Sequence, residues 1–283
     1  MNELQRVEKR IRDRFVKAFA TYRLLCDGDR VLVGLSGGKD SLCLLEMLGR
    51  RAQIHHPRFS VEAIHVRMTN VDYRTSTDFL EQFCASLNVP LHIVTTSFPT
   101  PHLSSPTAGD PPSGGGKRGL SPLTSHPSRQ ENLPQWGEAG GGFHSNKPKP
   151  PCFLCSWQRR KQLFNLAQEL GCNKIALGHH QDDLLTTALM NLFFQSRFET
   201  MPPLLQMDKM PLQIIRPLCL VEEADIIRYA ELRGYEKQVK LCPHENDTQR
   251  TTVRRMFDEM VRLNPETRYS LWNAIVREWS GHT

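Results

Sequence analysis

Residues 30–50 read RVLVGLSGGKDSLCLLEMLGR, and this stretch decides the fold. "RVLVGL" (30–35) is a short apolar run that stops at paired glycines, the pattern of a buried strand. "SLCLLEMLGR" (41–50) follows as a helix. Gly37 and Gly38 let the backbone turn tightly and bring its amides against a ligand. A helix start adds unpaired N–H groups and the positive end of the helix dipole. Ser36-Gly37-Gly38-Lys39-Asp40-Ser41 therefore reads as an anion site suited to phosphates, with hydroxyl donors on Ser36 and Ser41. The G-x-x-x-x-G-K-S/T spacing of a P-loop is absent. Asp40 lies inside this anion site and would repel polyphosphate unless a Mg²⁺ bridges the two, so Asp40 is the expected Mg²⁺ ligand. The plain alternative is a strand-to-helix turn capped by Asp40.

Outward from this loop, strands and helices alternate. Strands are predicted at 61–68, 91–96, 174–178 and 212–218, and helices at 77–88, 158–170, 182–194 and 222–234, with two more helices from 248 onward. Alternation of this kind predicts an α/β fold, a doubly wound parallel sheet of Rossmann-like type, with a helical C-terminal extension. Residues 99–151 stand apart, holding 11 of the 19 prolines and 9 of the 18 glycines without hydrophobic periodicity. Such a segment buries too little apolar surface to offset its ordering entropy, so it reads as a disordered insertion splitting one domain. The expected organisation is a basic N-terminal helix (1–25), a nucleotide-binding domain (26–98 and 152–240), the insertion, and a C-terminal segment (241–283).

Hydrophobic residues make up 39% of the 283, which fits a chain that packs only in part. No run of 18 apolar residues exists and no secretory signal opens the chain, so a cytoplasmic protein without a membrane partner is expected. The net charge of +6 is compatible with a polyanionic partner. Residues 1–25 carry seven basic side chains against three acidic ones, Arg159, Arg160 and Lys161 are consecutive, and Arg250, Arg254, Arg255 and Arg262 mark the tail. Each cluster also has a reading as a solvated helix face.

Of eight cysteines, Cys43, Cys84, Cys172 and Cys219 lie in apolar runs and read as core residues. Cys152 and Cys155 in "PCFLCSWQRRK" form a C-x-x-C pair, and Cys242 in "KLCPHENDTQR" lies in a polar turn. A lone C-x-x-C has a redox reading. Three thiolates suit a [4Fe–4S] cluster with one open iron, and adding His244 gives a Cys₃His zinc site; spacing alone leaves both open.

The loop S-G-G-x-D-S after a first strand resembles the pyrophosphate loop of the N-type ATP pyrophosphatases, the PP-loop superfamily. "PCFLCSWQRRKQLFNLAQELGCNKIALGHHQDDLLTTALMNLFF", "MPPLL", "IIRPL" and "EEADIIRYAELRGY" are similar, in this order, to the tRNA 2-thiocytidine synthetases. The similarity covers about residues 1–100 and 150–263. Two departures stand out: the long insertion, and the surroundings of Cys242, where Val239 and Pro243-His244-Glu245 replace the expected first cysteine and Gly-Ser-Gln. The related thiouridine synthetases carry terminal zinc fingers, for which this chain has no cysteines.

The resemblance implies an ATP-dependent tRNA sulfurtransferase. ATP binds through Leu35, Ser36, Gly37, Gly38, Lys39, Asp40 and Ser41, with His65, Val66, Gly178 and Asp183 completing its site. Mg²⁺ is held by Asp40, with Asp183 a candidate second ligand, although Asp182 and Asp183 read equally as N-cap and first-turn acids of the following helix; a [4Fe–4S] cluster is held by Cys152, Cys155 and Cys242. Lys39, Asp40, Arg159 and Asp183 serve the chemistry, while Arg159, Arg160, Lys161, Arg254 and Arg255 meet tRNA, and Trp157 either stacks on a base or packs. A cysteine desulfurase is the implied sulfur donor, and homodimerisation stays open. The reaction implied adenylates the C2 oxygen of a cytidine in the anticodon loop, cytidine 32, and replaces it with sulfur. The rival readings are a thiouridine synthetase, another amidating or tRNA-modifying PP-loop enzyme, and a non-enzymatic nucleotide-binding redox sensor.

Overall fold

The computed structural model describes residues 1–54, 56–69, 71–73, 77–97, 151–236, 240–241 and 248–281. The proline- and glycine-rich stretch up to residue 150, and Cys242 with His244, lie outside the described residues.

The predicted first strand and helix are β1 (Arg30–Gly34) and α2 (Lys39–Ala52), preceded by α1 (Glu3–Tyr22). They are followed by β2 (Ser60–Met68), β3 (Asp72–Tyr73), α3 (Asp78–Ser86) and β4 (Leu91–Thr96). The chain continues with α4 (Pro151–Glu169), β5 (Lys174–Ala176), α5 (Gln181–Gln195), β6 (Leu204–Gln206) and β7 (Gln213–Ile215). It ends with α6 (Glu223–Arg233), β8 (Lys240–Leu241), α7 (Thr248–Leu263) and α8 (Thr267–Gly281).

Six strands form the main sheet in the order β4-β2-β1-β5-β7-β6. All its pairings are parallel except β6 against β7. Alternation along each strand builds two cores. Val31 and Val33, Val61 and Ala63, Ala176 and Ile215 point to one face, with α1, α2, α3 and α6. Leu32, Ile64, Ile175 and Ile214 point to the other, against Leu163, Phe164 and Ala167 of α4. This is the period-two signature of a sheet buried on both sides. A third cluster, Leu185, Ala188, Phe257 and Ile275, joins α7 and α8 to α5.

Three expectations need correction. The helix predicted at 158–170 begins at Pro151, so Cys152 and Cys155 lie within its first two turns rather than in a loop before it. Proline at the first helical position is favoured, because its missing N–H would have no helical partner there. The strands predicted at 174–178 and 212–218 are three residues each, Lys174–Ala176 and Gln213–Ile215. The antiparallel edge strand β6 was not predicted.

The N-terminal helix is held by its apolar face more than by its charge. Val7, Ile11, Phe15 and Ala18 are buried on one stripe, and burying a large apolar side chain contributes about 1.5–3 kcal/mol. Its ion pairs with α6, Arg10–Asp225 at 2.7 Å, Arg14–Glu222 at 2.6 Å and Arg228–Glu3 at 2.7 Å, are largely exposed. Such pairs contribute roughly 0–1 kcal/mol each. They do, however, occupy part of the basic charge of this helix.

Candidate active site

The sheet reverses its winding between β1 and β5, and a crevice opens beyond their carboxyl ends. Ligands of doubly wound folds bind at such a switch point. The loop after β1 and the segment after β5 both end there, at the starts of α2 and α5.

The phosphate loop is shaped by its own hydroxyls. Gly37 takes a positive φ of 80°, a conformation that costs glycine nothing. Ser41 Oγ accepts from Ser36 N–H (3.2 Å) and donates to the Gly38 carbonyl (2.9 Å). Ser36 Oγ accepts from Gly38 N–H (3.3 Å). Gly38 stands at the N-cap of α2 with no side chain to satisfy the first-turn amides. A ligand anion has donors waiting there. Gly178 presses on this turn from the β5 side. A Cβ at Gly178 would stand 3.1 Å from the Asp40 carbonyl carbon and oxygen and 3.2 Å from Ser41 N, so only glycine allows this approach.

Beside the loop lies a charged network. Lys39 Nζ reaches Glu223 Oε1 (2.8 Å) and Asp40 Oδ1 (3.2 Å). Burial works against the lysine charge, but bonds to these two carboxylates outweigh it and raise its pKa. Asp40 goes the other way. Burial raises its carboxyl above the usual range, against the pull of His180 and Lys39. Its Oδ1 is buried and, beyond the ion pair with Lys39, makes no hydrogen bond among the described residues. His180 Nε2 lies 3.4 Å from Asp183 Oδ2, and 3.8 Å from both Asp40 Oδ1 and Glu223 Oε1.

The two aspartates that open α5 divide their work. Asp182 is buried and accepts from the Glu223 backbone N–H (2.7 Å) and from Arg268 (2.6 Å), with Arg254 at 3.1 Å. Burial opposes its charge, yet these donors, Arg268 first, hold its pKa below the usual carboxylate range. Asp183 accepts from the His180 N–H, closing a capping box, and pairs with Arg250 at 2.6 Å. Despite burial, His180 and Arg250 hold its pKa low. Asp182 thus ties α5 to α6 and α8, while Asp183 lines the site edge.

A cavity of about 290 Å³ adjoins the loop. Gly34, Leu35, Ser36, Ile64, His65 and Val66 form one wall, and Ser156, Arg159, Arg160, Leu163 and Phe164 of α4 the other. His65 is buried with Nδ1 2.7 Å from the Leu35 carbonyl, so it braces the strand end. His179 also lines the cavity, and burial beside Arg216 lowers its pKa to about 4, leaving a neutral imidazole at pH 7. One turn before Arg159 stands Cys155, and one turn before that, Cys152; Cys152 is exposed and Cys155 half-buried.

The loop residues, His65, Val66, Gly178, Asp183 and Arg159 are therefore gathered around one crevice. Cys242 lies outside the described residues, although Leu241 just before it pairs with Asp72, beyond the carboxyl end of β2. Arg254, expected to meet tRNA, is already engaged within the protein. Its guanidinium turns inward onto Asp182 and Glu223 (2.8 Å), whereas neighbouring Arg255 is exposed. Glu223, His180 and Arg268 escaped the sequence reading. Only "HHQDD" hinted at His180, and the other two join the site solely through tertiary packing.

A family model described as a PP-loop domain matches residues 157–259. The tRNA-cytidine(32) 2-sulfurtransferase of Bordetella avium is 32% identical over 284 residues, 99% of this chain and 76% of the relative. That of Shewanella oneidensis is 30% identical over 273 residues, 96% of this chain and 75% of the relative. A U34-tRNA thiolase from Methanococcus maripaludis, solved with its [4Fe–4S] cluster, shares the fold. It matches with a TM-score of 0.65 at 22% identity, covering 97% of this chain and 79% of that one. With its full-length likeness to these relatives, this chain belongs to the tRNA-cytidine(32) 2-sulfurtransferase family, built on a PP-loop domain.

Proposed function

We propose that this protein is an ATP-dependent tRNA sulfurtransferase that converts cytidine 32 of the anticodon loop to 2-thiocytidine. One observation carries the reading: the phosphate loop and the helix bearing Cys152 and Cys155 enclose the same cavity. ATP lays its phosphates on the amides of Gly37, Gly38 and the first turn of α2, with adenine against the Ile64–Val66 edge. Lys39 shares its charge between Glu223 and the phosphates. The buried Asp40 Oδ1, held by its ion pair with Lys39, fits a Mg²⁺ bound mostly by phosphate oxygens, since Mg²⁺ commonly takes one or two carboxylates from the protein. Among the described residues no group of three or more acidic, histidine or cysteine ligands forms a cage on its own.

The cytidine C2 oxygen attacks the α-phosphate, the α–β bond breaks and pyrophosphate leaves. Hydrosulfide then adds at C2, the C2–O bond breaks, and AMP departs with the former O2. The hydrosulfide proton passes to the released pyrophosphate. Arg159, which lines the cavity, offers positive charge to the departing phosphate. Neutral His179 presents a polar edge without adding a competing charge.

Cys152 and Cys155 are three residues apart on one helix, a donor set that with Cys242 fits a [4Fe–4S] cluster. When bound, such a cluster would offer a site for sulfide on the iron that lacks a protein ligand. A cysteine desulfurase is the proposed sulfur source, and the cytoplasm the proposed compartment. No helix among the described residues is long and apolar enough to cross a membrane.

The test is to incubate anaerobically purified protein with ATP, Mg²⁺, sulfide and unmodified tRNA, then to analyse nucleosides by mass spectrometry. Expected is 2-thiocytidine mapped to position 32, dependent on ATP and matched by AMP. Thiouridine, or AMP without any thionucleoside, would overturn the reading.

A further inference from the structure

The outer surface of α4 carries a feature that the activation chemistry leaves unused. Phe153 is 43% exposed and Trp157 47%, four residues apart on the same helix. Lys161, four residues further, holds its ammonium 5.4 Å from the centre of the Trp157 ring. At 3.6 residues per turn these three form one stripe along the helix. Ser156, Arg159 and Arg160, on the adjoining strip, line the cavity, and the stripe therefore runs along the cavity's rim. Two large, half-exposed aromatic rings thus lie beside three consecutive basic side chains, on a helix whose inner face packs against the sheet.

We propose that Phe153 and Trp157 form a stacking platform for the unpaired anticodon-loop nucleotides next to the base being modified. The inference rests on the tRNA-thiolation reading above and names how that substrate is held. Single-stranded RNA is gripped by aromatic faces and by cations along its backbone. Here the rings offer the first and Arg160 and Lys161 the second. Each flanking base lies on a ring while Lys161 turns from Trp157 to a phosphate. The target base, removed from its neighbours, is left free to enter the cavity.

The test measures binding of a stem-loop RNA with the anticodon-loop sequence, and of a fully paired duplex of equal length, to wild type, Trp157→Ala, Trp157→Phe and Phe153→Ala. Stacking on an aromatic side chain predicts that Trp157→Ala weakens stem-loop binding about 5- to 100-fold. Trp157→Phe retains most of the affinity. Duplex binding and ATP affinity stay within about twofold, and thiolation shows a raised KM for RNA with kcat nearly unchanged. Iron is measured in Phe153→Ala because that residue adjoins Cys152; Trp157→Ala carries the decision. Unchanged stem-loop affinity in Trp157→Ala would overturn the platform, as would equal losses for stem-loop and duplex. A change in self-association with RNA binding intact would assign the stripe to protein contact and also overturn it. If wild type thiolates tRNA while Trp157→Ala keeps its KM, only the platform fails. If wild type neither binds nor thiolates the RNA, the function itself fails with it.

Discussion

The two sides of the crevice, the phosphate loop with its neighbouring ion-pair network and helix α4, are constructed on different rules. On the β1 side, Ser36, Gly38 and Ser41 satisfy one another, and Lys39, Glu223, Arg254, Arg268 and Asp182 form a chain of short ion pairs. On the α4 side, Cys152, Phe153, Ser156, Trp157 and Arg160 are exposed. A wall that binds a small, invariant polyphosphate gains from preorganisation, since donors already in place need no reordering when charge develops. The role proposed for α4, receiving a metal cluster and a large RNA, requires accessible ligands and rings. The difference predicts that damage to α4 spares nucleotide binding, whereas damage to the network reaches both the chemistry and the fold.

The largest effect expected is from Cys155→Ser. Thiolation should fall to background and iron should be lost, while ATP affinity stays within about twofold. Iron analysis together with isothermal titration of an ATP analogue checks both halves. Loss of nucleotide binding would show that the two walls are not independent.

Asp40→Asn strikes the other wall. AMP formation should fall about 10²–10³-fold in kcat, the scale for removing one group that stabilises charge in the transition state. Stability should hold or rise. Burial raises the Asp40 pKa, so its ionisation disfavours the folded state as pH rises past the unfolded value, and the amide removes that penalty. A large drop in Tm would refute Asp40 as a desolvated functional acid.

How far this division could be read from the chain differs between the walls. The β1 loop announces itself: an apolar strand, two glycines and a helix are contiguous, and the crevice follows from where such a loop must lie. The α4 wall was harder, because Pro150 and Pro151 close a stretch without hydrophobic periodicity and the sequence pattern predicts a helix only from residue 158. The proline starts the helix instead, and this single shift places the cysteines, Arg159 and Trp157 on one rigid element. Asp182 and Asp183 read alike as first-turn acids. What separates them is Arg268, 86 residues away, which no local pattern discloses. Edge strand β6 has two leucines followed by Gln206 directly after Pro202 and Pro203, so no apolar run marks it as β5 and β7 are marked.

Asp182 gives the stability test of the preorganised wall. Asp182→Asn should cost about 2–3 kcal/mol in urea unfolding, below the 3–5 typical of a broken buried pair because Arg254 keeps Glu223. The pH dependence sharpens this. Donors depress the folded pKa of Asp182, so its contribution is present above the unfolded pKa of about 3.9 and is lost as pH falls through the folded value. The midpoint for wild type should therefore drop faster on acidification than that of the variant. Parallel pH curves would remove Asp182 from the network that matters.

The smallest effect separates two adjacent arginines. Val253 and Phe257 are buried on α7, and this phase turns Arg254 toward Asp182 and leaves Arg255 in solvent. Arg254→Gln should lower Tm by several degrees, because buried Asp182 and half-buried Glu223 each lose a partner. Arg255→Gln should leave Tm within about a degree, consistent with a surface change. If Arg255 meets a phosphate, its loss weakens tRNA binding a few-fold and reduces the slope of log K against log salt by about one. Salt titrations of tRNA binding for the two variants decide between them. An unchanged slope in Arg255→Gln would confine the RNA footprint to the α4 wall, where Arg160, Lys161 and the aromatic stripe would have to supply it.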